Sequence, residues 1–288
     1  MHTTLVENNK RVQEATGTSY YLRFTVPQRY LHLVIAITFL GVAITGLPLR
    51  FSQLPLAAAF ARAVGGFAAV LAIHLACAVV MTIAFLAHVA NILYRVVFRK
   101  EYGLLWGPNS MVPRWKDIQD FIGQLKWFFF LGPRPKFDRY AYWDKMDYWA
   151  VFWGMGIIGF SGYAMWFKGF FAKFIPGSWL NIALLIHGEE ALLAVGFIFT
   201  IHFFNTHLRP NNFPMDLTIF TGLQTEEELK ERHPEEYQRL IASGELESLK
   251  SNQPSQPLVN ASRVAGVLAV LVGVAVITLT VIAFVKAL

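Results

Sequence analysis

Cysteine is the residue that this sequence most conspicuously lacks. The chain has 288 residues and one cysteine, Cys77, so no disulfide bond can form within it. A C-x-x-C-H motif and a cage of thiolate ligands are excluded for the same reason. The chain therefore cannot attach a c-type haem covalently or build a zinc or iron–sulfur site from its own cysteines. Any metal that it binds must be held by histidine.

Charge is the second scarcity. Charged residues make up 15% of the chain and hydrophobic residues 55%, whereas an ordinary soluble domain carries about 25% charged residues. So few charges cannot cover a surface that faces water, and the composition predicts a protein surrounded by membrane lipids. The net charge of +6 is then attributed to orientation in the membrane, and no nucleic-acid partner is expected.

Five stretches are apolar enough, and at about 20 residues or more long enough, to form spanning helices. They lie at residues 30–49, 63–94, 148–167, 179–208 and 264–285. The sequence thus predicts an all-α integral membrane protein, in which a four-helix bundle is followed by one additional C-terminal transmembrane helix. The predicted divisions are an N-terminal tail (1–28), the four-helix domain (29–210), an amphipathic segment with a linker (211–261) and the fifth helix (262–288).

The distribution of Lys and Arg predicts the orientation. Twenty of the 25 lie in the N-terminal tail and in the loops on its side of the membrane, and five lie on the other side. The positive-inside rule places the N-terminus in the cytoplasm, and five crossings place the C-terminus outside. We therefore expect a multi-pass protein of a bacterial-type inner (cytoplasmic) membrane, with residues 226–249 as one cytoplasmic amphipathic helix and 251–257 as a linker.

Histidines mark the candidate site, because six of the eight lie in or at the ends of the predicted spans. Ionisable residues inside a bilayer are functional candidates, and neutral imidazole is a common axial ligand of haem iron. His74 and His88 share the second span, and His187 and His202 share the fourth. Each pair lies within about 40–60° of one helix face and is separated by about 21–22 Å along the axis. Two matched levels predict two b-type haems, so that the four spans form a haem-binding bundle.

The depths assign the levels but leave one choice open. His74 and His187 lie toward the outer leaflet and are expected to hold the outer haem. His202 lies toward the cytoplasm, where both His88 and His32 can serve as the second ligand of the inner haem. His207 lies about 200° around an ideal helix from His187 and is predicted to face away from the haems, as an interfacial residue or a quinone contact.

Two further predictions concern the acidic residues after His187 and the two histidines outside the predicted spans. Glu189 and Glu190, directly after His187, are interpreted either as a proton relay or haem-propionate neighbours, or as residues that face a partner or a water-filled crevice. His2 and His233 lie in polar segments and are expected to be ordinary solvent-exposed residues.

The residues resemble a known family, the cytochrome b subunits of membrane-bound formate dehydrogenase and the related bacterial cytochrome b561-like anchors of hydrogenase and thiosulfate reductase. The resemblance covers roughly residues 20–250. It rests on Arg29-x-x-His32 with Phe39 and Thr45-Gly46, on the His74 helix, on YAYWDKMDYWAVFW at 140–153, on the paired histidines of the fourth span, and on His233-Pro234-x-x-Tyr237.

The resemblance implies a ligand set. It implies His74 and His187 for the outer haem, and His32 and His202 for the inner one. The sequence departs from the family in the 15-residue spacing of the last pair, in the additional His88, and in Ala141-Tyr142-Trp143, which stands where the family has Asn-x-Gly. His88 therefore stays an alternative inner ligand.

A quinone site is predicted at the cytoplasmic interface beside the inner haem. Such a site needs an apolar slot with a few polar groups that hold the two quinone oxygens and exchange protons. The candidate residues come from the start of the third span and the end of the fourth: Tyr140, Tyr142, Lys145, Asn205 and His207. The alternative is that these residues only anchor the helices at the headgroups.

These observations predict a dihaem cytochrome b, the electron-transfer subunit of a quinone-linked oxidoreductase complex. It would move electrons between the quinone pool (menaquinone or ubiquinone) and a redox partner across the membrane, which would be a catalytic, iron–sulfur or c-type cytochrome subunit. No catalytic residue is expected in this chain, because the redox chemistry belongs to the cofactors. The alternatives are a quinol oxidase that delivers electrons to multihaem c-type cytochromes and a haem-free membrane anchor or transporter.

Overall fold

The computed structural model of the chain describes residues 18–209, 212–213 and 215–287. The chain divides into two compact units. The first unit comprises the described residues of Met1–Arg29, Ile92–Tyr148 and Asp216–Ala265, and the second comprises those of Tyr30–Asn91, Trp149–Met215 and Gly266–Leu288. The first unit thus unites the tail, the long loop and the segment that the sequence analysis treated separately.

Helices account for most of the described chain. Those in the first half are α1 (Val26–Arg50), α2 (Pro55–Val64), α3 (Phe67–Val97), α4 (Gly103–Trp106) and α5 (Trp115–Phe128). Helix α6 consists of Tyr142–Gly154, a π-helical turn at Met155–Gly159, and Phe160–Trp166. The later helices are α7 (Lys168–Phe171), α8 (Gly177–Leu208), α9 (Thr218–Thr221), α10 (Glu226–Arg232), α11 (Pro234–Ser243) and α12 (Gln256–Ala287).

Four helices among the described residues are long and apolar enough to cross a membrane, namely α1, α3, α8 and α12. They contain the first, fourth and fifth predicted spans and all of the second except residues 63–66, which precede α3. The prediction of an all-α integral membrane protein is confirmed. The third predicted span lies within α6 except for its last residue, and α6 begins earlier, at Tyr142.

The contacts of the first unit predict that α6 crosses the membrane as well. Arg139 donates a hydrogen bond to the backbone carbonyl of Arg23 at 2.6 Å, and Tyr20 pairs with Thr225 in a sheet. All of these residues therefore lie on one side of the membrane. Between Arg139 and Thr225 the chain passes through α8, and one crossing alone would separate them. A second crossing is required there, and α6 is the helix that supplies it.

The first unit contains a small antiparallel sheet that the sequence analysis did not predict. Strand β1 (Tyr20–Leu22) lies between β2 (Leu223–Thr225) and β3 (Lys250–Ser251). Strands of two or three residues are too short to show the alternating pattern by which strands are recognised in a sequence.

The prediction of one amphipathic helix over 226–249 is wrong. Thr225 caps α10 in a reciprocal capping box with Glu228. Helix α10 ends at Arg232, because the residue before Pro234 is disfavoured in the helical conformation, and Pro234 then starts α11. Gly244 ends α11 in the left-handed conformation at φ 72°, and Leu246–Leu249 form a 3₁₀ turn. The predicted linker at 251–257 is shorter than expected, since α12 already begins at Gln256.

Each unit has its own apolar core. The core of the first unit joins Tyr21 of the sheet to leucines of α10, α11 and the 3₁₀ turn. The core of the second unit brings α1, α8 and α12 together around Ala43, Val195, Phe199, Phe203 and Val276.

Helix α8 is not a regular α-helix over its whole length. It is π-helical at Ile198–His202 and again at Phe204–Leu208. In a π-helix the backbone bonds join residues five apart instead of four, so residues five apart come nearer to one face than in an α-helix. The angular argument that placed His207 away from the haems assumed an ideal α-helix, and it does not hold for this segment.

Candidate functional site

The structure brings His74 of α3 and His187 of α8 together. Their ring centres lie 6.3 Å apart, and the ring planes are inclined by 72°. An imidazole nitrogen binds a first-row transition metal at about 2.0–2.1 Å, and the ring centre lies about 1 Å behind that nitrogen, so two rings that share one metal ion have centres roughly 6 Å apart. The observed separation is that of a pair of axial ligands.

The hydrogen bonds of His187 assign its tautomer. Its Nδ1 lies 2.9 Å from the Ile158 carbonyl oxygen, which can only accept, so Nδ1 carries the proton. The neutral ring then keeps its lone pair on Nε2, which is the form that binds a metal. Ile158 belongs to the π-helical turn of α6, and turns of this kind often occur at functional sites.

His74 is held in the same way. Its Nδ1 lies 3.1 Å from Thr45 Oγ1. The Thr45 hydroxyl donates its proton to the Gly41 carbonyl at 2.6 Å, so its oxygen is left to accept from Nδ1. Nε2 of His74 therefore also carries the lone pair. Partners of this type fix the orientation of a ligating histidine and raise its basicity.

Glycines make room for both rings. A Cβ atom at Gly46 would lie 3.2 Å from Cε1 of His74, and one at Gly162 would lie 3.0 Å from Cε1 of His187. Such distances are tighter than ordinary van der Waals contacts, so a larger residue at either position would push the ring. The small residues let α1 and α6 approach the ligand-bearing helices closely.

The donor set fits a haem. Two neutral imidazoles supply two ligands, and the porphyrin supplies the four equatorial nitrogens. A metal site made of protein side chains alone needs at least three donors. In the part of the chain that the structure describes, no group of three or more His, Cys, Asp or Glu side chains could hold a metal ion.

The two acidic residues after His187 have different partners. Glu189 forms an ion pair with Arg50 at 2.5 Å, and both side chains are partly exposed. Arg50 also packs so closely over Gly188 that a Cβ there would overlap it. Glu190 accepts a hydrogen bond from the indole nitrogen of Trp153 at 3.2 Å. A positive charge thus lies one residue from the outer ligand, and neither interpretation of the two acids is decided.

At the inner level, α8 carries His202 and His207. The positive charges that protonation would place on these two histidines lie within electrostatic range of His32 of α1. Phe203 lies between these two in sequence, and its ring centre is 6.3 Å from that of His202 and 5.4 Å from that of His207. His202 and His207 lie in successive π-helical turns of α8, so the angle of about 200° that was calculated for an ideal α-helix does not apply to His207, and its role stays a prediction.

His88 has a different environment. Its ring packs edge-on against Phe152 of α6, with centres 6.4 Å apart, and Phe152 in turn contacts Phe85 at 5.0 Å. The surroundings described for His88 are therefore aromatic.

Three of the predicted quinone residues lie in the first unit. Lys145 is 2% exposed, and its Nζ lies 2.9 Å from both carboxylate oxygens of Asp117. Tyr142 packs against Phe121 and Phe137 at 5.4 and 6.4 Å. The Tyr140 ring lies under two guanidinium groups, those of Arg23 and Arg139, at 5.4 and 5.6 Å.

The other two predicted quinone residues lie in the second unit. The backbone carbonyl of Asn205 accepts a hydrogen bond from the Asn212 side chain at 2.6 Å. His207 is buried, with 7% of its surface exposed, and packs on Phe203. The five-residue quinone site remains a prediction, since its members are divided between the two units.

The sequence analysis missed an ionic network in the first unit. Glu236 is 1% exposed and pairs with Arg23 at 2.5 Å and with Arg139 at 2.8 Å. His233 donates from Nδ1 to the Asp138 carbonyl at 2.8 Å and lies 3.3 Å from an Arg23 nitrogen through Nε2.

The environment of His233 contradicts its interpretation as an ordinary solvent-exposed residue. Burial, together with the positive charge of Arg23, holds the pKa of His233 well below its usual value. The His-Pro-x-x-Tyr pattern of the resemblance was the one sequence signal that pointed to this residue.

The comparisons with known proteins agree with the geometry. No curated protein matches the chain. A family model described as prokaryotic cytochrome b561 matches residues 23–208, which is more than half of the chain and includes α1, α3, α6 and α8. A member of that family is a multi-pass membrane cytochrome b that binds b-type haem and takes part in transmembrane electron transfer. The chain belongs to the prokaryotic cytochrome b561 family.

Proposed function

We propose that this protein is a dihaem cytochrome b subunit, which carries electrons between the quinone pool and a redox partner on the opposite side of the membrane. The observation that carries the proposal is the His74–His187 pair, with ring centres 6.3 Å apart and with both Nδ1 atoms engaged by acceptors in other helices. If the two histidines served only for packing, there would be no reason for both rings to keep the Nε2 lone pair free to bind a metal.

His74 and His187 would hold the outer haem. Thr45 and the Ile158 carbonyl orient the two rings through Nδ1, and Gly46 and Gly162 leave space for them. Bound haem supplies a reversible one-electron couple between ferric and ferrous iron. The protein contributes two oriented ligands and an apolar surrounding, which together set the potential of such a site.

His32 and His202 would hold the inner haem. His32 is preferred over His88 as the partner because Arg29-x-x-His32 matches the family pattern, and the electrostatic influence of His202 on His32 supports the choice. His207 shares the neighbourhood of His32 and is the alternative ligand. We assign His202 because its place in the family pattern matches that of the second histidine of the fourth span.

The inner haem would exchange electrons with quinone on the cytoplasmic side, near Tyr140, Tyr142, Lys145, Asn205 and His207. The segments rich in Lys and Arg all belong to the first unit, and this supports a cytoplasmic location for that unit under the positive-inside rule. The outer haem would exchange electrons with a catalytic, iron–sulfur or c-type cytochrome subunit outside. The membrane would be the inner membrane of a bacterium.

Haem content of single-histidine variants tests the outer site. The full chain is purified in detergent, and the haem per chain is measured together with the reduced-minus-oxidised spectrum. We expect two haems in the unmodified protein, and one each in His74→Ala and His187→Ala. His88→Ala is the matched control, since it removes a membrane histidine of α3 outside the proposed ligand set. Two haems in both His74→Ala and His187→Ala would contradict the outer assignment.

The inner site is tested by four variants of the same design. We expect His32→Ala and His202→Ala to lose one haem, whereas His88→Ala and His207→Ala keep two. If His207→Ala loses one haem and His202→Ala keeps two, then His207 and not His202 is the ligand of the inner haem. Loss in His88→Ala with retention in His32→Ala would contradict the choice of His32.

A further inference from the structure

Helix α12 lies outside the part of the chain that matches the family, since the match ends at residue 208 and α12 begins at Gln256. It nevertheless belongs to the core of the second unit. Val276 of α12 is buried together with Ala43 of α1 and Val195 of α8. The helix thus contributes to the packing that surrounds the inner histidines.

Gly273 is the point at which α12 meets α8 most closely. A Cβ atom at this position would lie 2.6 Å from a ring carbon of Phe199 and 2.6 Å from a ring carbon of Phe203. Contacts below 3.0 Å do not occur between real atoms of this kind, so one of the neighbours would have to move. Both phenylalanines are almost completely buried and cannot swing out into lipid.

The two phenylalanines belong to the irregular part of α8. Phe199 lies in its first π-helical turn, and Phe203 joins that turn to the second. Their rings pack edge to face with centres 5.1 Å apart, and Phe39 of α1 closes the other side of Phe199 at 6.1 Å. π-helical turns are rare in proteins. Here α1 and α12 pack against the first π-helical turn of α8.

Phe203 connects this packing to the inner histidines. It follows His202 directly in the chain and lies edge-on to His207, with ring centres 5.4 Å apart. His202 ends the first π-helical turn and His207 lies in the second, so the directions of both rings depend on the π-helical register. A shift of the Phe203 ring would therefore be transmitted to both histidines.

We propose that Gly273 is a positioning residue for the inner haem: through the space it leaves for Phe199 and Phe203, α12 fixes the register of α8 that orients the His202 ring. The proposal rests on the inner haem of the proposed function. It assigns a role in cofactor binding to a helix that the family match does not cover.

The test uses Gly273→Val in the full chain, with Val274→Leu as the matched control. Val274 neighbours Gly273 but is largely exposed, so a larger residue there meets lipid. In a redox titration we expect Gly273→Val to lose the inner haem, or to change the equilibrium constant for its reduction at least tenfold, which is about 59 mV for one electron. The outer haem, and both haems of Val274→Leu, should be unchanged.

A compensating variant separates positioning from general damage. Phe203→Leu removes ring atoms on one side of the crowded space, while the overlap with Phe199 remains, so the double variant Gly273→Val with Phe203→Leu should restore part of the inner haem. We also expect the electron paramagnetic resonance signal of the oxidised inner haem, which reports the mutual orientation of its two axial rings, to shift in the single variant and return in the double one.

The other outcomes contradict the proposal in distinguishable ways. Unmodified protein that titrates as a single haem would overturn the proposed function and this inference together. Two haems in the unmodified protein and an unchanged inner haem in Gly273→Val would overturn this inference alone. Loss of both haems in Gly273→Val, without recovery in the double variant, would make α12 a general packing element and overturn its assignment to the inner site.

Discussion

Replacement of Lys145 distinguishes a structural role from a role in quinone binding. Its Nζ contacts both oxygens of Asp117 at 2.9 Å, and the two side chains are 2% and 11% exposed. Lys145→Met removes the cation and leaves the carboxylate buried, and breaking a buried ion pair in this way costs about 3–5 kcal/mol. Asp117 keeps one hydrogen bond, from the backbone amide of Arg114 at 2.5 Å. We therefore expect Lys145→Met to lower the free energy of unfolding of this region by about 3 kcal/mol, the lower end of that range.

The assay is hydrogen exchange of the backbone amides in α5 and α6 of the purified full chain. A local loss of about 3 kcal/mol speeds exchange roughly 100-fold where opening limits it. The double variant Lys145→Met with Asp117→Asn removes both charges and keeps the oxygen that accepts from Arg114. Because replacing both partners of a buried pair is often close to neutral, most of the protection should return. Unchanged exchange in Lys145→Met alone would refute this reasoning.

Quinone turnover of the double variant then decides the role. If Lys145 acts only through its ion pair, turnover in the double variant should equal that of the unmodified protein. If exchange is restored and both haem spectra are intact but turnover is lost, the ammonium group itself is needed by the quinone.

Two further predictions concern His233 and Thr45. Because Arg23 and burial keep the pKa of His233 well below its usual value, it stays neutral in the folded first unit. In the unfolded chain the His233 ring binds a proton below about pH 6.5, and this stabilises the unfolded state by about 1.4 kcal/mol for each pH unit. The free energy of unfolding of the first unit should therefore be highest above about pH 6.5 and decrease as the pH falls below it, as measured by hydrogen exchange. His233→Asn should flatten this dependence, and an equally steep profile in that variant would contradict it. Thr45→Val removes the acceptor for Nδ1 of His74 and should lower the affinity for the outer haem about 10–100-fold, measured as haem transfer to a soluble acceptor. Thr38→Val, whose hydroxyl bonds to a carbonyl of its own helix, is the control and should behave like the unmodified protein.

The sequence predicted the membrane helices and the proximity of His74 and His187, because both follow from local sequence patterns. Long apolar runs define the spans by length alone, and His74 and His187 stand out because an ionisable residue in such a run is expensive. The structure places those two rings 6.3 Å apart.

The inner site could not be predicted to the same extent. The position of His207 followed from 100° per residue, and that value fails where α8 becomes π-helical. Phe39 and Gly273, from distant parts of the chain, pack against these irregular turns. The sequence of α8 alone therefore does not reveal that part of it is π-helical. The same holds for His233, whose partners Arg23 and Asp138 come from two other segments.

The small sheet of the first unit has a consequence for how the protein is made. Strand β1 leaves the ribosome first, but Tyr20 pairs with Thr225 and Ser251, which are made more than 200 residues later. At a synthesis rate of about 5–20 residues per second, these partners follow roughly 10 to 50 seconds after β1. During that interval β1 must wait while the helices between enter the bilayer. A chain in which one helix fails to insert would leave β1 and β2 on opposite sides, and the sheet could never close. Closure of the sheet thus works as a check on correct insertion, completed only when the fourth crossing is in place.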